Sequence, residues 1–581
     1  MTQFASRVAL LRAEMQRQQL DAYVIYHSDP HLSEYLHDHF KCREWLSGFS
    51  GSYGFVVVTK ADTALWTDSR YMLQAKMELG QNDIELIQDR VAGAKSYVEW
   101  ILDRFPNGAR VGFDARLVSI HEYSNNVKYD MIEWVDCGDL FDSIASDLSP
   151  LIFNEIKDHT IEFAGVSRER KIEDLRHFMK EHGLDHYLVT SLDEIAWLLN
   201  LRGSDISFNP VFYSFVIVSR TKINLFVGNT PPLDVKALDG VVVHAYDLFY
   251  QAVGALRETV GLDASKTTQK VLDVISTECR FVTSPITASK SKKNPIELAG
   301  AMKAHDLDGS SLLRFWIWLE QHSQDGVSEY QIGRRLNDFR SVYPTFVQDS
   351  FSPIVGYNAN GAIVHYSATE KESTKIQGDG LLLIDSGGQY LMGTTDITRT
   401  FAIGEVTEDM KRDYTNVLKG VIALSSAIFP EGYAGCHLDI LARTALLKEG
   451  NNYGHGTGHG VGSYLNVHEG PMSIRPDFNN EPLRVGQVLS IEPGVYKEVE
   501  YGIRIENLAS VAEDRKNEFG HFNRFNTLTV FPFEQKLIDS KLLTHDEIQW
   551  VNSYHQEVYY RLKGLLSEQE VSFLKSKVKP I

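Results

Sequence analysis

A helix that runs into a buried strand occurs twice in the first half of this chain, and that repeat points to an α/β architecture built by duplication. Leu10, Leu11 and Met15 recur at helical spacing and lead into Leu20-Asp21-Ala22-Tyr23-Val24-Ile25, a short apolar run with the β-rich character of a buried strand. Leu175, Phe178 and Met179 repeat the helical pattern ahead of Leu184-Asp185-His186-Tyr187-Leu188-Val189. Each copy continues through a second helical stretch and a Gly-containing turn, Leu46-Ser47-Gly48-Phe49 and Leu201-Arg202-Gly203-Ser204, into further strands. Two α/β units are therefore expected, one over residues 1–160 and one from 161 to about 290.

The run Ser289-Lys290-Ser291-Lys292-Lys293-Asn294-Pro295 breaks the pattern. Asn294 suits a helix N-cap and Pro295 a first helical residue, so a long helix is expected from there through His322. The lysines read as a solvated linker rather than a binding site. Beyond this point, Gly-punctuated strands such as Gly380–Asp385 and Val488–Glu492 alternate with helices.

A length of 581 residues suits three or four domains at roughly 150 residues each. With 43% hydrophobic and 23% charged residues the chain is globular rather than disordered. Its net charge of −19 repels phosphates, which argues against nucleic-acid binding and docking on anionic membranes. No apolar run approaches the roughly 18 residues of a membrane span. The N-terminal MTQFASRVALLRAEMQ lacks the apolar stretch of a signal peptide, and Glu14 with the following strand makes it a core helix rather than a presequence. Four scattered cysteines form no C-x-x-C pair and no disulfide framework, so a reducing, cytoplasmic location is expected.

Several catalytic signatures are missing from the sequence: G-x-S-x-G, G-x-x-x-x-G-K-[ST] and H-E-x-x-H. The C-terminal half carries a different constellation. Leu381-Leu382-Leu383-Ile384-Asp385 reads as a buried strand ending in a carboxylate, and Gly393–Thr400 returns beside it with Asp396, so a hairpin is expected to bring the two aspartates together. Leu489-Ser490-Ile491-Glu492 and Gly502-Ile503-Arg504-Ile505-Glu506 place two glutamates on a second pair of apolar strands. Between the pairs stands His459, flanked by glycines that permit close backbone approach. Taken singly, each carboxylate is a strand-end residue in a salt bridge. Four together must be paired, protonated or metal-bound, and Arg504 is the obvious cation in the local sequence. Two divalent ions would balance four carboxylates, and oxygen-rich ligation with one imidazole favours manganese over zinc. Such a pair, about 3.5–4 Å apart, can hold a bridging hydroxide, which makes metal-assisted hydrolysis the expected reaction class.

Asp385, Asp396, His459, Glu492 and Glu506, in that order, resemble the ligand set of the pita-bread metallopeptidases. More narrowly, the chain is similar to the three-domain Xaa-Pro aminopeptidases. The similarity is carried by the segments 66–71 and 193–205, by His455-Gly456-Thr457-Gly458-His459-Gly460-Val461-Gly462, by Asn466-Val467-His468-Glu469-Gly470-Pro471, and by Gly502–Asn507. It implies two creatinase-like N-terminal α/β domains (1–160 and 161–292) and a pita-bread catalytic domain (293–581). It also implies a manganese-dependent homodimer that removes the first residue from peptides with proline second. Glu492 is then both ligand and general base. His365, His455 and His468 correspond to the family's substrate histidines, with His468 or His365 stabilising the oxyanion. His365, His455, Tyr366 and Arg504 are expected to wall the proline pocket, and Arg70 to grip the far end of the peptide. C-terminal to Ser510 the match is looser, and the tail is expected to serve packing or dimerisation. Three other readings share features with this one. Prolidases have the same five ligands but act on X-Pro dipeptides, creatinase-like enzymes use the fold without metal, and some relatives that have lost ligands are non-catalytic binding proteins.

Overall fold

The structure, a computed structural model, describes residues 3–80, 82–91, 93–228 and 240–581. The chain forms two compact units. One takes the residues up to His159 together with Ser167–Ile286, and the other takes Thr160–Val166 and Thr287–Ile581.

The first unit holds two six-stranded sheets with the same strand order. In chain order, strands one to six of each set are arranged 4-3-2-1-5-6. In both sheets the first strand, Ala22–Ile25 or His186–Val189, lies antiparallel to the second and parallel to the fifth. The repeat read from the sequence is thus a repeat of topology. The N-terminal segment is the helix Gln3–Arg17, with Phe4, Val8, Leu11 and Met15 buried on one face; Leu10, read from the sequence as part of the apolar pattern, is exposed, because it lies off the stripe that Leu11 and Met15 share.

In the second unit the helix Pro295–His322 starts as expected. Asn294 accepts from the amides of Ile296 and Glu297, and Glu297 returns a bond to the Asn294 amide. The lysines just before it correct the linker reading: Lys290 and Lys293 are buried and both grip Glu469. A charge run reads as solvated only when its counter-ion is out of view, and here the counter-ion lies far along the chain.

Two antiparallel sheets frame the centre of this unit. The first joins Ile354–Tyr357, Gly380–Ser386 and Ile397–Ile403. The second has six strands, with Val488–Ile491 between Gly458–Gly460 and Asn507–Asn517. The sheets meet where the Glu506 amide donates to the Thr398 carbonyl at 3.1 Å. Helices Pro295–His322 and Glu408–Ser425 cover them over a core that includes Leu313, Trp316, Leu382, Ile384, Phe401, Val417, Ile503 and Phe531. The C-terminal helix Glu568–Lys577 adds Leu574 to the same core. No helix among the described residues is long and apolar enough to cross a membrane.

Candidate active site

The four carboxylates stand where strands begin or end. Asp385 is the penultimate residue of Gly380–Ser386, and its cross-strand partner is Thr398 rather than Asp396. Asp396 lies one residue before the strand Ile397–Ile403, because a short ladder between Gly388–Tyr390 and Gly393–Thr394 occupies the turn. Glu492 immediately follows Val488–Ile491, and Glu506 immediately precedes Asn507–Asn517. The main chain leaves the ladder at these points, so the side chains can converge on a common pocket rather than alternate across a sheet.

His459 occupies the middle of Gly458–Gly460. A Cβ on Gly458 would lie 2.0 Å from the Ser490 carbonyl oxygen, and one on Gly460 would lie 2.3 Å from that of Glu469, so only glycine lets the three strands close around the histidine. Its Nδ1 lies 3.0 Å from the Gly460 carbonyl, which can only accept. Nδ1 therefore donates, and Nε2 faces Asp396 Oδ2 at 3.6 Å and Glu492 Oε1 at 3.5 Å. Ligand atoms of Asp396, His459 and Glu506 all lie within 4.8 Å of one another.

Like charges dominate this pocket. Burial, reinforced by Asp385 and Glu492, holds the Asp396 carboxyl well above its ordinary range. Burial, with Asp396 and Asp385, does the same to Glu506. Glu492 is pushed up to about 7, by burial first and by Asp385 against the opposing pull of Arg504. Two buried carboxylate oxygens, Asp385 Oδ1 and Glu506 Oε1, have no hydrogen-bond partner among the described residues. Buried anions and unpartnered oxygens around one imidazole lone pair fit divalent cations.

Beside the carboxylates runs a chain of directed hydrogen bonds. Arg504 donates from Nη2 to Asp385 Oδ2 at 2.6 Å and from Nη1 to the Tyr496 hydroxyl at 2.8 Å. His455 Nδ1 lies 2.7 Å from the Gly456 carbonyl and must donate there, so its Nε2 accepts from the Tyr496 hydroxyl at 2.7 Å. Tyr496 was not singled out in the sequence, since a lone tyrosine in a short hairpin carries no motif. The hairpin that presents it, Gly494–Lys497 with Tyr501–Arg504, is tied down by Lys497 and Tyr501 on Asp413. Arg443, held by Asp439, fixes the loop of His455 by donating to the carbonyls of Tyr453 and His455.

The remaining candidates are placed as follows. His468 stands edge-on to His459, with ring centroids 4.4 Å apart at 82°. His365 and Tyr366, both half-buried, follow the turn Asn358–Ala362. The Tyr366 hydroxyl is engaged by Glu329 at 2.9 Å. Arg504 lies inside the pocket as the partner of Asp385. Arg70 belongs to the other compact unit, where its guanidinium forks onto Asp68 and lies over the rings of Tyr53 and Tyr71.

Residues 300–513 match metallopeptidase family M24, and residues 521–581 match the C-terminal region of peptidase M24. Residues 7–144 and 149–297 each match a creatinase/prolidase N-terminal domain, in line with the repeated topology. Xaa-Pro aminopeptidase 1 of Dictyostelium discoideum is 37% identical over 99% of this chain and 96% of its own length. Aminopeptidase P2 of Arabidopsis thaliana is 37% identical over 94% of this chain and 84% of its own. Among solved structures, the X-prolyl aminopeptidase of Caenorhabditis elegans, described as a cytosolic enzyme with a di-nuclear active site, superposes with a TM-score of 0.95. It is 32% identical and covers the whole of both chains.

Proposed function

Because the chain belongs to metallopeptidase family M24, we propose that it is a metal-dependent aminopeptidase that hydrolyses the first bond of peptides with proline in second place. The observation that carries this reading is the clustering of Asp396, His459 and Glu506, with Glu492 Oε1 3.5 Å from the same imidazole, in a chain that matches Xaa-Pro aminopeptidases over its full length. Asp385, Asp396, His459, Glu492 and Glu506 are assigned to hold two divalent ions, manganese by the oxygen-rich character of the set. When bound, such ions polarise the scissile carbonyl and acidify water.

The protein's own groups do the rest. Glu492 takes the proton of the attacking water. A ring N–H of His468 donates to the developing oxyanion, with His365 as the other candidate. The acidic cluster attracts the substrate's free ammonium, which restricts cleavage to the first residue. The proline nitrogen carries no proton to recognise, so the pocket must receive a ring. His455, held by Tyr496, forms one wall, with Arg504, His365 and Tyr366 as further wall residues, and Arg70 is assigned to the distal end of the peptide. The domains are placed at 1–160, 161–292 and 293–581. Four free cysteines and the cytosolic relative support a cytoplasmic enzyme, and the family resemblance supports a homodimer.

The test uses chelator-stripped protein with and without added manganese, offered an X-Pro-Pro tripeptide, an X-Pro dipeptide and an X-Ala-Pro control. Manganese-dependent cleavage of the tripeptide alone is expected. Preference for the dipeptide would make the protein a prolidase, and no cleavage with no metal retained would make it a binding protein.

A further inference from the structure

Glu469 follows His468 directly, and both of its carboxylate oxygens are held. Lys290 Nζ lies 2.6 Å from Oε2, and Lys293 Nζ bonds Oε1. The side chains of Lys290, Lys293 and Glu469 are 3%, 2% and 0% exposed, so all three charges are desolvated. Glu297, buried in the first turn of the helix that follows, brings the charges to two of each sign. Buried ion pairs contribute little net stability, and well-packed apolar replacements are often neutral. The location of this one suggests what it does instead.

The Glu469 backbone pairs with Gly460, next to His459, as the first residue of the strand Glu469–Ile474. A few residues earlier the same segment is fastened at the Leu465 carbonyl, which accepts from Gln389 Nε2 at 2.7 Å and Thr394 Oγ1 at 3.2 Å. Tyr464, between His459 and this fastening, is held in the left-handed region at φ 48°, a conformation a bulky residue keeps only when its surroundings impose it. His468 therefore projects from a short span fixed at Leu465 and at Glu469. Two ammonium groups on the two oxygens of one carboxylate fix its plane as well as its position, which a single ion pair does not.

We infer that Lys290 and Lys293, by clamping Glu469, are positioning residues that set the orientation of His468 over the active site. This rests on the aminopeptidase reading of that site. The clamp acts through the backbone of the neighbouring histidine.

Single substitutions strand a buried charge, so the informative variant is Lys290→Met/Lys293→Met/Glu469→Met made on a Glu297→Gln parent, so that no buried charge is left behind, and compared with that parent in the full-length, metal-loaded protein. It is expected to fold and to keep wild-type metal content, with kcat on the X-Pro-Pro tripeptide lower by about tenfold or more and KM changed by less than about threefold. Hydrogen exchange of residues 461–469, followed by mass spectrometry, is expected to accelerate. In a His468→Ala background the same three changes are expected to lower kcat by less than about twofold, because the clamp acts through the missing ring. Wild-type kcat and exchange in the triple variant would overturn the inference, as would an undiminished loss in the His468→Ala background. If the triple variant does not fold, Glu469→Asp, which keeps the charge but withdraws it by one methylene, is read by the same criteria. A wild-type protein inactive on X-Pro peptides would sink the aminopeptidase reading, and the exchange measurement would still decide whether the clamp fixes the segment.

Discussion

Arg504 Nη2 reaches Asp385 Oδ2 at 2.6 Å, while the other oxygen of that carboxylate, Oδ1, is buried with no hydrogen-bond partner among the described residues. One side of Asp385 is thus satisfied by the protein, and the other is the side on which the proposed cation would bind. Arg504→Met should therefore cost different amounts in the two forms of the protein. Without metal it leaves a buried carboxylate unpaired, a loss of about 3–5 kcal/mol. With divalent metal bound, the ion takes over the pairing and the loss should shrink markedly. Thermal unfolding of chelated and metal-loaded protein checks this, and equal losses in both forms would contradict a metal role for Asp385.

The raised carboxyls give the metal-free protein an unusual dependence on pH. Glu492 titrates at about 7 when folded, against an ordinary value of 4.5. The folded state therefore binds this proton more tightly than the unfolded state, and the resulting stability is fully present below about 4.5 and lost as pH rises through 7. At 1.36 kcal/mol per unit the swing is about 3 kcal/mol from Glu492 alone, with Asp396 and Glu506 shifted in the same direction. Chelated protein should melt at lower temperature at about pH 8 than at about pH 5, and added divalent metal should restore stability most at the higher pH, where the ligands are ionised. A melting temperature of the chelated protein that rises across this interval would rule the account out.

Much of this was legible in the sequence because it is written in local pattern. The helix from Asn294-Pro295 to His322 and the repeat of an α/β unit follow from caps and apolar periodicity, whereas the strand order within each sheet does not. His459 between its glycines could be picked out because the residues that make room for it are its neighbours. What could not be read depends on distant partners. Lys290 and Lys293 look like a solvated run until Glu469, far along the chain, is brought against them. The hairpin does bring Asp385 and Asp396 into one pocket, but its register, with Asp385 opposite Thr398, depends on a short ladder in the turn that composition does not reveal. Tyr496 gains its role only from the fold, which sets Arg504 on one side of its hydroxyl and His455 on the other.

That hydroxyl makes Tyr496→Phe informative. The change deprives Arg504 Nη1 of an acceptor and His455 Nε2 of a donor inside the pocket, and each unsatisfied buried group costs about 1–3 kcal/mol. One of the two bonds that orient the His455 ring in this chain of hydrogen bonds would then be lost. KM for the X-Pro-Pro tripeptide is expected to rise about tenfold or more, with the bound metal retained because Tyr496 is not in the proposed ligand set. Unchanged KM would remove His455 from the proline pocket.

Gly502 offers a test of how the His365 segment is held. A Cβ at this position would lie 1.7 Å from the Gly361 carbonyl oxygen and 2.2 Å from its carbon. These are backbone atoms of the Asn358–Ala362 turn and cannot swing away as a side chain would. Gly502→Ala must therefore separate that turn from the strand Tyr501–Arg504, displacing the segment of His365 on one side and Arg504 on the other. Overpacking of this kind costs about 1–3 kcal/mol or more. Since both displaced groups belong to the proposed site, kcat/KM should fall with stability rather than independently of it. Gly564→Ala, where nothing lies within 4 Å of the added carbon, is the matched control and should change neither. If Gly502→Ala melts and turns over like the wild type, the turn is not packed against that strand in solution, and the placement of His365 beside the pocket fails with it.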